Sequence, residues 1–526
     1  MYTLLSFLAF TLFVAFFSWF KLRKESLKTK DGYFLGGKSL TGVVIAGSML
    51  LTNISTEHLI GMNGSSYKNG FIIIAWEVTS AIALVIAALY FIPKYLKMGL
   101  TTIPEYLERR FDGTTRTLVA FFLMVSFVVT ILPIVLYTGA INLESIFNVS
   151  EVLQLPKQES LWVTVVVIGS LGALYAILGG LKAVAISDTI NGYGLLIGGA
   201  AIPIFALLAI GDGNPLQGLQ KVYENSPDKF NVIGDKDSVL PFEVLFTGLM
   251  INQLYFWGMN QTIIQRALGA KNLKEAQKGL LYTGVLKIII PIVIILPGVI
   301  AFYYLGDSMY AEQDMIYPEL IKRVLPVGLV GIFAAVVLGA VLSTFNSVLN
   351  SAATIFSVDI FKKHIDKSSS DAKLVRVGKT TSIILAVFSI FVAPFVANAP
   401  DGLYQLLQQL NGIFFIPIAS ILLAGFFLKN ISAMGAKVAL FVGLLFYILT
   451  TFVFDTGIHF VHLWGIEFVL NLFIMFGVSY LYPRVNKNDD MPESTQEKLE
   501  TWRYAKPMGL VLCAITLVIY IFMGQL

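Results

Sequence analysis

Cysteine, histidine and charge are all scarce in this chain. Its 526 residues include one cysteine and four histidines, and 13% are charged while 56% are hydrophobic. The single Cys513 excludes a disulfide within the chain. So little charge excludes an ordinary soluble enzyme, and a net charge of +4, carried largely by loop Lys and Arg, gives no sign of nucleic-acid binding. The composition therefore predicts a membrane protein.

Long apolar runs make up most of the chain. A hydrocarbon core about 30 Å thick needs about 20 apolar residues per helix, and runs of this length recur with short polar breaks. We predict an all-α polytopic fold with 14 transmembrane helices and no soluble domain. The predicted spans lie near residues 1–20, 41–64, 71–95, 116–142, 160–181, 184–210, 241–263, 279–305, 326–360, 377–399, 403–428, 433–454, 461–482 and 507–525.

Loop charges predict the orientation of these helices. The first apolar run precedes its basic residues, the reverse of a signal peptide, so we expect a retained helix. Residues 361–379 carry six basic side chains, whereas residues 211–240 carry three Lys against five acidic residues. The positive-inside rule then places 361–379 in the cytoplasm and both termini outside a plasma or inner membrane. The polar tract 483–506 is expected to be a cytoplasmic linker.

Two short polar stretches interrupt apolar runs, at residues 52–58 and at 343–347, the latter followed by Asn350 and Ser351. Within a bilayer such groups must be satisfied by protein, water or a ligand. Both stretches therefore predict a polar solute or ion site inside the membrane.

A distant symmetry relates two groups of five predicted helices. Span 41–64 is interrupted between Asn53 and His58, and span 241–263 is interrupted by polar residues at 252–253 and 258–261. The first group has an odd number of helices, so the second group is inverted, as in transporters whose broken helices bind Na⁺ through free carbonyls. The predicted divisions are 1–30 (leading helix and cytoplasmic link), 38–210 and 241–428 (inverted repeats), and 429–526 (three further helices and the linker).

Four motifs give the chain a resemblance to the sodium/glucose cotransporter family of the solute:sodium symporter superfamily. They are residues 53–62 (NISTEHLIGM), 179–184 (GGLKAV) with Asp188, 255–261 (YFWGMNQ) with Gln265 and Arg266, and 350–360 (NSAATIFSVDI). The resemblance implies a Na⁺-coupled symporter that imports a glucose- or galactose-like hexose by alternating access, and no enzymatic activity. Its expected partners are the sugar, Na⁺ and the lipid bilayer.

Sodium is a hard cation that prefers oxygen ligands. The resemblance implies a Na⁺ site made by the carbonyls of Leu51, Ile54 and Ala340 and the hydroxyls of Ser343 and Thr344. From the residues alone, Ser343 and Thr344 fit close helix packing equally well.

A second Na⁺ site is a weaker expectation from the resemblance. Its candidate ligands are Asp188, Asn346 and Ser347, although Thr is usual in the family where this chain has Asn346. An amide oxygen can also coordinate, so the number of ions stays open. Asp188 equally fits a structural ion pair with a Lys or Arg such as Lys182.

Glu77 and Lys287 are charges inside the apolar spans 71–95 and 279–305. Intramembrane charges are rare unless paired or functional, and a carboxylate and an ammonium complement sugar hydroxyls. A structural ion pair is the alternative. With the positions that the resemblance adds, the candidate solute-binding residues are Asn53, His58, Glu77, Ser80, Gln253, Lys287 and Gln408.

Aromatic residues near these positions are candidate gates that would cover the apolar face of a sugar ring. Phe256 and Trp257 resemble the family's inner gate, where Tyr is more usual first, and Met62, Trp76 and Tyr404 resemble its outer gate. Packing against lipid explains most aromatic residues in such a chain, so each position needs support from the structure.

Three other functions remain open at this point. The chain would be a symporter of another solute (myo-inositol, sialic acid, proline or a carboxylate), a Na⁺-dependent sugar sensor, or a glycosidase that uses Glu57 and Glu77 as paired carboxylates. The glycosidase is disfavoured because the sequence has no hydrated catalytic domain.

Overall fold

The computed structural model describes residues 2–22, 28–308, 310–396, 403–484 and 499–525, and these segments are almost entirely helical. Their one β contact is an isolated bridge between Leu40 and Ala270. The main helices are α1 Tyr2–Leu22, α2 Gly42–Asn53, α3 Asn63–Asn69, α4 Ala75–Ile86, α5 Gly113–Ser126, α6 Leu132–Phe147, α7 Lys157–Ile177, α8 Gly179–Ile210, α9 Gly248–Gly258, α10 Gln261–Leu268, α11 Leu273–Ile289, α12 Leu296–Leu305, α13 Val327–Ile355, α14 Asp371–Val392, α15 Leu403–Phe427, α16 Ala433–Ile448, α17 Phe460–Leu481 and α18 Ala505–Met523.

Shorter elements connect or extend these helices. The short α-helices are Lys30–Phe34, Ile92–Met98, Ile103–Arg110, Val149–Leu153, Pro215–Asn225, Pro291–Ile294 and Ile316–Val324. Wider π-helical turns cover Glu57–Met62, Ala87–Phe91, Phe127–Ile131, Phe356–Ile365 and Leu449–Val453.

The number of membrane-crossing helices was predicted to be 14. Within the described residues, eleven helices are long and apolar enough to cross a bilayer, or twelve if the pair Leu273–Ile289 and Pro291–Leu305, bent by 41°, is one span. The count is lower because α2 has only 12 residues and α9 only 11, each ending at a break. A length criterion therefore does not establish the predicted number.

Two helices are broken where the sequence predicts interruptions. The helix α2 ends at Asn53, and the backbone of Ile54 is extended (φ −90°, ψ 94°) before the π turn Glu57–Met62. The helix α9 ends at Gly258, and Asn260 then caps α10 by accepting a 2.8 Å hydrogen bond from Thr262 N. A side-chain cap satisfies an amide that a helix start leaves free. By contrast, residues 252–253 lie inside α9 and make no break.

Close helix packing brings the two broken helices together at the centre. The helix α2 packs against α8, α11 and α13, and Gly47 permits one of these contacts because an added Cβ would lie 3.0 Å from the Cα of Thr189. Small residues let helices approach closely in membranes. Large apolar side chains on α1, α14, α17 and α18 are instead exposed, as lipid-facing surfaces are. The predicted linker 483–506 lies mostly outside the described residues.

Candidate functional site

A cavity lies where the two broken helices meet, and the space between its lining atoms is about 740 Å³ with its opening to solvent included. Its wall is formed by the end of α2 and by α4, α9, α10, α11, α13 and α15. Two predicted residues, Ser80 and Met62, are buried but lie outside this wall. The predicted solute and gate residues that line it are Asn53, His58, Trp76, Glu77, Gln253, Phe256, Trp257, Lys287, Tyr404 and Gln408.

The two predicted charges in the membrane form an ion pair on the cavity wall. Lys287 Nζ donates to Glu77 Oε2, and each side chain is only 1% exposed. Lys287 Nζ also lies 2.8 Å from Asn53 Oδ1 and 5.4 Å from the centre of the Trp257 ring. Removal of one partner would leave an uncompensated buried charge. Glu77 and Lys287 therefore form an ion pair and also line the cavity.

A second polar group surrounds the break after α2. The Asn53 amide lies 3.4 Å from His58 Nε2, and His58 Nδ1 lies 3.7 Å from Glu57 Oε1. The hydroxyl of Ser55 donates to Glu57 Oε2. The ring of Tyr404 meets the His58 ring edge to face, with centroids 5.1 Å apart. The imidazole is thus held between the broken helix and α15.

The amide of Gln253 is fully used by its neighbours. Its Nε2 donates to the Trp76 carbonyl at 2.8 Å and to Thr79 Oγ1 at 3.2 Å, while its Oε1 accepts from Trp257 Nε1 at 3.1 Å. This one side chain therefore fixes Trp76 and Trp257 on either side of the cavity. In contrast, Gln408 donates a single hydrogen bond, from Nε2 to Tyr404 Oη at 3.2 Å.

Four of the aromatic residues that line the cavity form two pairs. Trp76 and Tyr404 meet edge to face with centroids 5.9 Å apart, and Phe256 and Trp257 do so at 5.1 Å. Met62, the third predicted member of the outer gate, is fully buried and is not part of the cavity wall. Both pairs line the cavity, and such rings suit a solute with an apolar ring face.

The predicted Na⁺ ligands lie where α13 crosses the break of α2. Thr344 Oγ1 lies 3.4 Å from the Leu51 carbonyl oxygen and 3.1 Å from that of Thr52. The hydroxyl of Ser343 is buried and faces the Asp188 carboxyl group, and within the described part of the chain it has no partner of normal hydrogen-bond geometry. Leu51, Ile54 and Ala340 are fully buried. Buried hydroxyls beside the backbone carbonyls of a helix end fit an oxygen-coordinated cation.

The predicted second-ion residues surround an arginine. Asp188 accepts from Ser48 Oγ at 2.7 Å and lies 3.9 Å from Arg266 Nη2, which also donates to Ser347 Oγ. Arg266 is fully buried. The ion-pair alternative for Asp188 is thus observed, with Arg266 as a partner, and the guanidinium lies between Asp188 and Ser347. The remaining candidate, Asn346, has a buried Oδ1 without a hydrogen-bond partner among the residues described.

Several polar residues of the cavity wall were not predicted as binding residues. Asn411 lies three residues after Gln408 on α15, so the two share a helix face, and this spacing is a signal that the sequence contains. The Asn411 Oδ1 is buried without an assigned hydrogen bond. The other polar residues missed are Thr52, Glu57, Asn252, Asn260 and Thr262.

Comparisons with known proteins agree on one family. The model of the sodium:solute symporter family matches residues 33–443. An uncharacterized symporter, YidK of Escherichia coli K12, is 45% identical over 91% of this chain and 84% of its own length. A sodium/glucose cotransporter of Vibrio parahaemolyticus is 34% identical over 79% of this chain and 78% of its own length.

The chain is more distantly similar to a transporter of another solute and to a solved structure. The human sodium/myo-inositol cotransporter is 29% identical over 79% of this chain and 62% of its own length. The solved structure of a Na⁺-coupled sialic acid symporter in a substrate-bound outward-open state superposes with a TM-score of 0.77 at 21% identity, over 92% of this chain and 99% of that one. At this identity the structural similarity shows the fold alone.

Proposed function

Because the chain belongs to the sodium:solute symporter family, we propose that it couples inward Na⁺ movement to the uptake of an uncharged polyhydroxylated solute, a hexose or a close relative. Its relatives are transporters and not enzymes, and Na⁺ is the coupled ion of the family. The chain crosses a membrane many times.

The observation that carries this proposal is the Glu77–Lys287 pair on the cavity wall. The pair is neutral as a unit, so it offers an acceptor and a donor without selecting for a charged solute. Hydroxyl groups act as both donors and acceptors, and charge-assisted hydrogen bonds are the strong ones. Asn53, His58 and Gln408 add further polar groups around the same space.

Relatives of known solute support the same chemical class. Glucose and myo-inositol, named for two of the relatives, are both uncharged rings with several hydroxyls. An anionic solute such as sialic acid would meet the Glu57 carboxylate in this cavity, whereas Glu77 is neutralised by Lys287, and the Glu57 charge disfavours it. The aromatic pairs Trp76–Tyr404 and Phe256–Trp257 are proposed as gates on the two sides, with Met62 packed behind the first.

Coupling is proposed to arise at the crossing of α2 and α13. A Na⁺ ion held by the carbonyls of Leu51, Ile54 and Ala340 and the hydroxyls of Ser343 and Thr344 would join the broken helix to α13. This would favour the form in which Asn53 and His58 are arranged for the solute. Moving one charge through 100 mV contributes about 2.3 kcal/mol. We propose one ion per solute, because Arg266 already supplies a positive charge between Asp188 and Ser347.

The proposed architecture is 14 transmembrane helices with both termini outside a plasma or inner membrane. Residues 38–210 and 241–428 would form the inverted repeats, with residues 1–30 before them and 429–526 after them. The breaks at Ile54 and Asn260 are the features that support equivalent first helices in the two repeats.

Uptake into proteoliposomes tests the function. The purified chain would be offered labelled glucose, galactose, myo-inositol, sialic acid and proline, each with an inward Na⁺ gradient and with an equal K⁺ gradient. Na⁺-dependent accumulation of one or more of the first three is expected. Selective accumulation of sialic acid or proline would overturn the proposed solute class. Solute-evoked current without uptake would identify a sensor instead.

A further inference from the structure

Glu467 is a buried carboxyl group that lies outside the cavity wall. It is fully buried on α17. In the described part of the chain, neither carboxyl oxygen has a partner with normal hydrogen-bond or ion-pair geometry. It lies seven residues beyond the start of α17, or roughly 10 Å along the helix at 1.5 Å per residue. The Glu467 carboxyl is therefore inside the span Phe460–Leu481.

A carboxylate at this depth needs a counter-charge, and the surrounding helices do not provide one. Charged groups at a helix centre in a bilayer cost at least about 2.5–3.5 kcal/mol. The elements packed against α17 are α9, α15, α16 and the turn Leu449–Val453. Their titratable side chains are Tyr255, Tyr404, Lys437 and Tyr447, and of these Tyr447 faces Glu467. The ammonium of Lys437 instead lies 2.8 Å from Asp112 Oδ2.

The orientation of a neighbouring amide indicates which form of Glu467 is present. The hydroxyl of Ser420 donates to the Ile416 carbonyl at 2.8 Å, so it can only accept from Asn471, whose Nδ2 lies 3.2 Å away. This fixes the Asn471 Oδ1 as a buried acceptor, and among the described residues it has no donor. Asn471 lies one helix turn after Glu467, and its amide faces the carboxyl group.

An ionised Glu467 would add acceptors to a region that lacks a donor. A protonated carboxyl group has one O–H donor and keeps acceptor capacity. The hydroxyl of Tyr447, which faces Glu467 and has no partner of normal hydrogen-bond geometry among the described residues, can donate to that remaining capacity. We propose that Glu467 is a buried proton-binding site, in which a proton taken from solvent is held on one carboxyl oxygen and donated in a hydrogen bond to Asn471 Oδ1.

The proposed proton site adjoins the wall of the solute cavity through Trp464. The rings of Trp464 and Trp76 meet edge to face with centroids 6.1 Å apart. The indole nitrogen of Trp464 and the Tyr447 hydroxyl both lie over Gly412, where an added Cβ would be 2.7 Å from Tyr447 Oη and would collide with Trp464 Nε1. Ionisation of Glu467 would change the hydrogen bonding of Tyr447 and thereby the support of Trp76.

Infrared spectroscopy of the reconstituted full chain tests the proposal directly. At neutral pH the wild type is expected to show a protonated-carboxyl band that shifts in deuterated water and is absent from Glu467→Gln. The band should be the same in Na⁺ and in K⁺. Absence of any band that depends on Glu467 would overturn the proposal. So would a band lost on adding Na⁺ but not K⁺, because Glu467 would then be a Na⁺ ligand.

Two further measurements guard against a variant that fails to fold. Asn471→Leu removes the acceptor, so the band should move to the position of a carboxyl group without a hydrogen bond. An unmoved band would contradict the proposed pair. Wild-type uptake should fall several-fold at alkaline pH while Glu467→Gln, which keeps a neutral donor, retains its uptake. Equal losses in both proteins would contradict a role for this proton.

Discussion

Thr344 Oγ1 on α13 donates a 3.1 Å hydrogen bond to the carbonyl oxygen of Thr52 in the last turn of α2. This bond ties an unbroken helix to a broken one at the point where the backbone of Ile54 becomes extended. The next residue along α13 towards its start, Ser343, carries a buried hydroxyl that faces the Asp188 carboxyl group and has no partner of normal hydrogen-bond geometry among the described residues. Both hydroxyls are proposed Na⁺ ligands, but only that of Thr344 also ties α13 to α2, and experiments can exploit that difference.

The first prediction concerns the Ser343 hydroxyl. Ser343→Ala removes a proposed Na⁺ ligand and a hydroxyl that faces Asp188, but breaks no hydrogen bond between α13 and α2, so the protein should fold normally. The Na⁺ concentration for half-maximal uptake should rise about tenfold or more, corresponding to about 1.4 kcal/mol. Uptake measured against Na⁺ concentration checks this. The control is Ser382→Ala on α14, which removes another buried hydroxyl without a partner in the described chain. Equal Na⁺ dependence in both variants would contradict the ion site.

The second prediction concerns solute recognition. Gln408→Ala should weaken hexose binding by about 1–3 kcal/mol, because it leaves solute hydroxyls without their partner, while Na⁺ binding stays measurable. Its neighbour Gln409 is outside the cavity wall, so Gln409→Ala should bind normally and is the matched control. Titration of solute-evoked fluorescence in the presence of Na⁺ measures both. If the two variants bound hexose alike, Gln408 would not be a solute ligand.

The third prediction separates the two members of the buried ion pair. Glu77→Ala should abolish hexose uptake and also lower stability by about 3–5 kcal/mol, because Lys287 would remain charged and buried. A second change, Lys287→Met, should restore much of the stability of the Glu77→Ala protein without restoring uptake. Thermal unfolding and uptake are measured on the same preparations. Recovery of uptake in the double variant would show that the pair is structural only.

The fourth prediction concerns the number of coupled ions. Since Arg266 lies between Asp188 and Ser347, the reversal potential of solute-evoked current should report one Na⁺ per solute. Asp188→Asn should leave that ratio unchanged but reduce uptake, because the guanidinium loses its counter-charge. A ratio of two in the wild type, lowered to one by Asp188→Asn, would make Asp188 an ion ligand and Asn346 a candidate ligand beside it.

The fifth prediction concerns the packing of α1 on α13. A Cβ added to Gly331 would collide with the carbonyl oxygen of Thr3, whereas one added to Gly328 meets nothing within 4 Å. Gly331→Ala should therefore destabilise the protein by about 1–3 kcal/mol through overpacking. Gly328→Ala, on the same helix, should be neutral or slightly stabilising. Thermal unfolding in detergent compares the two, and equal midpoints would show that α1 moves aside at no cost.

The sequence alone predicts the membrane class, the family resemblance and the two helix breaks. These follow from local physics, since a bilayer demands apolar runs and leaves polar interruptions such as residues 52–58 conspicuous. Local signals were less reliable for particular side chains. Ser80 and Met62 lie outside the cavity wall, and Asn252 and Gln253 lie within α9 instead of at a break. The position of a residue in a sequence pattern therefore indicates only approximately which face of its helix it occupies.

Glu467 shows a second way in which the sequence leaves the role of a side chain undecided. A charge inside an apolar span is the signal that singled out Glu77 and Lys287, and Glu467 carries it too within span 461–482. The sequence cannot distinguish a charge with a counter-ion from one without. In the structure Lys287 reaches Glu77 from 210 residues away, whereas the described helices around Glu467 bring no cation to it.

The sequence by itself determined that this chain lies in a membrane, is helical and carries polar residues where lipid cannot satisfy them. Only the tertiary structure decided that Glu77 pairs with Lys287, that Arg266 lies between Asp188 and Ser347, and that Thr344 is tied to α2 while Ser343 faces Asp188. The reason is that hydropathy and helix periodicity are properties of neighbouring residues. Partnerships between helices depend on how small residues such as Gly47 let distant segments approach.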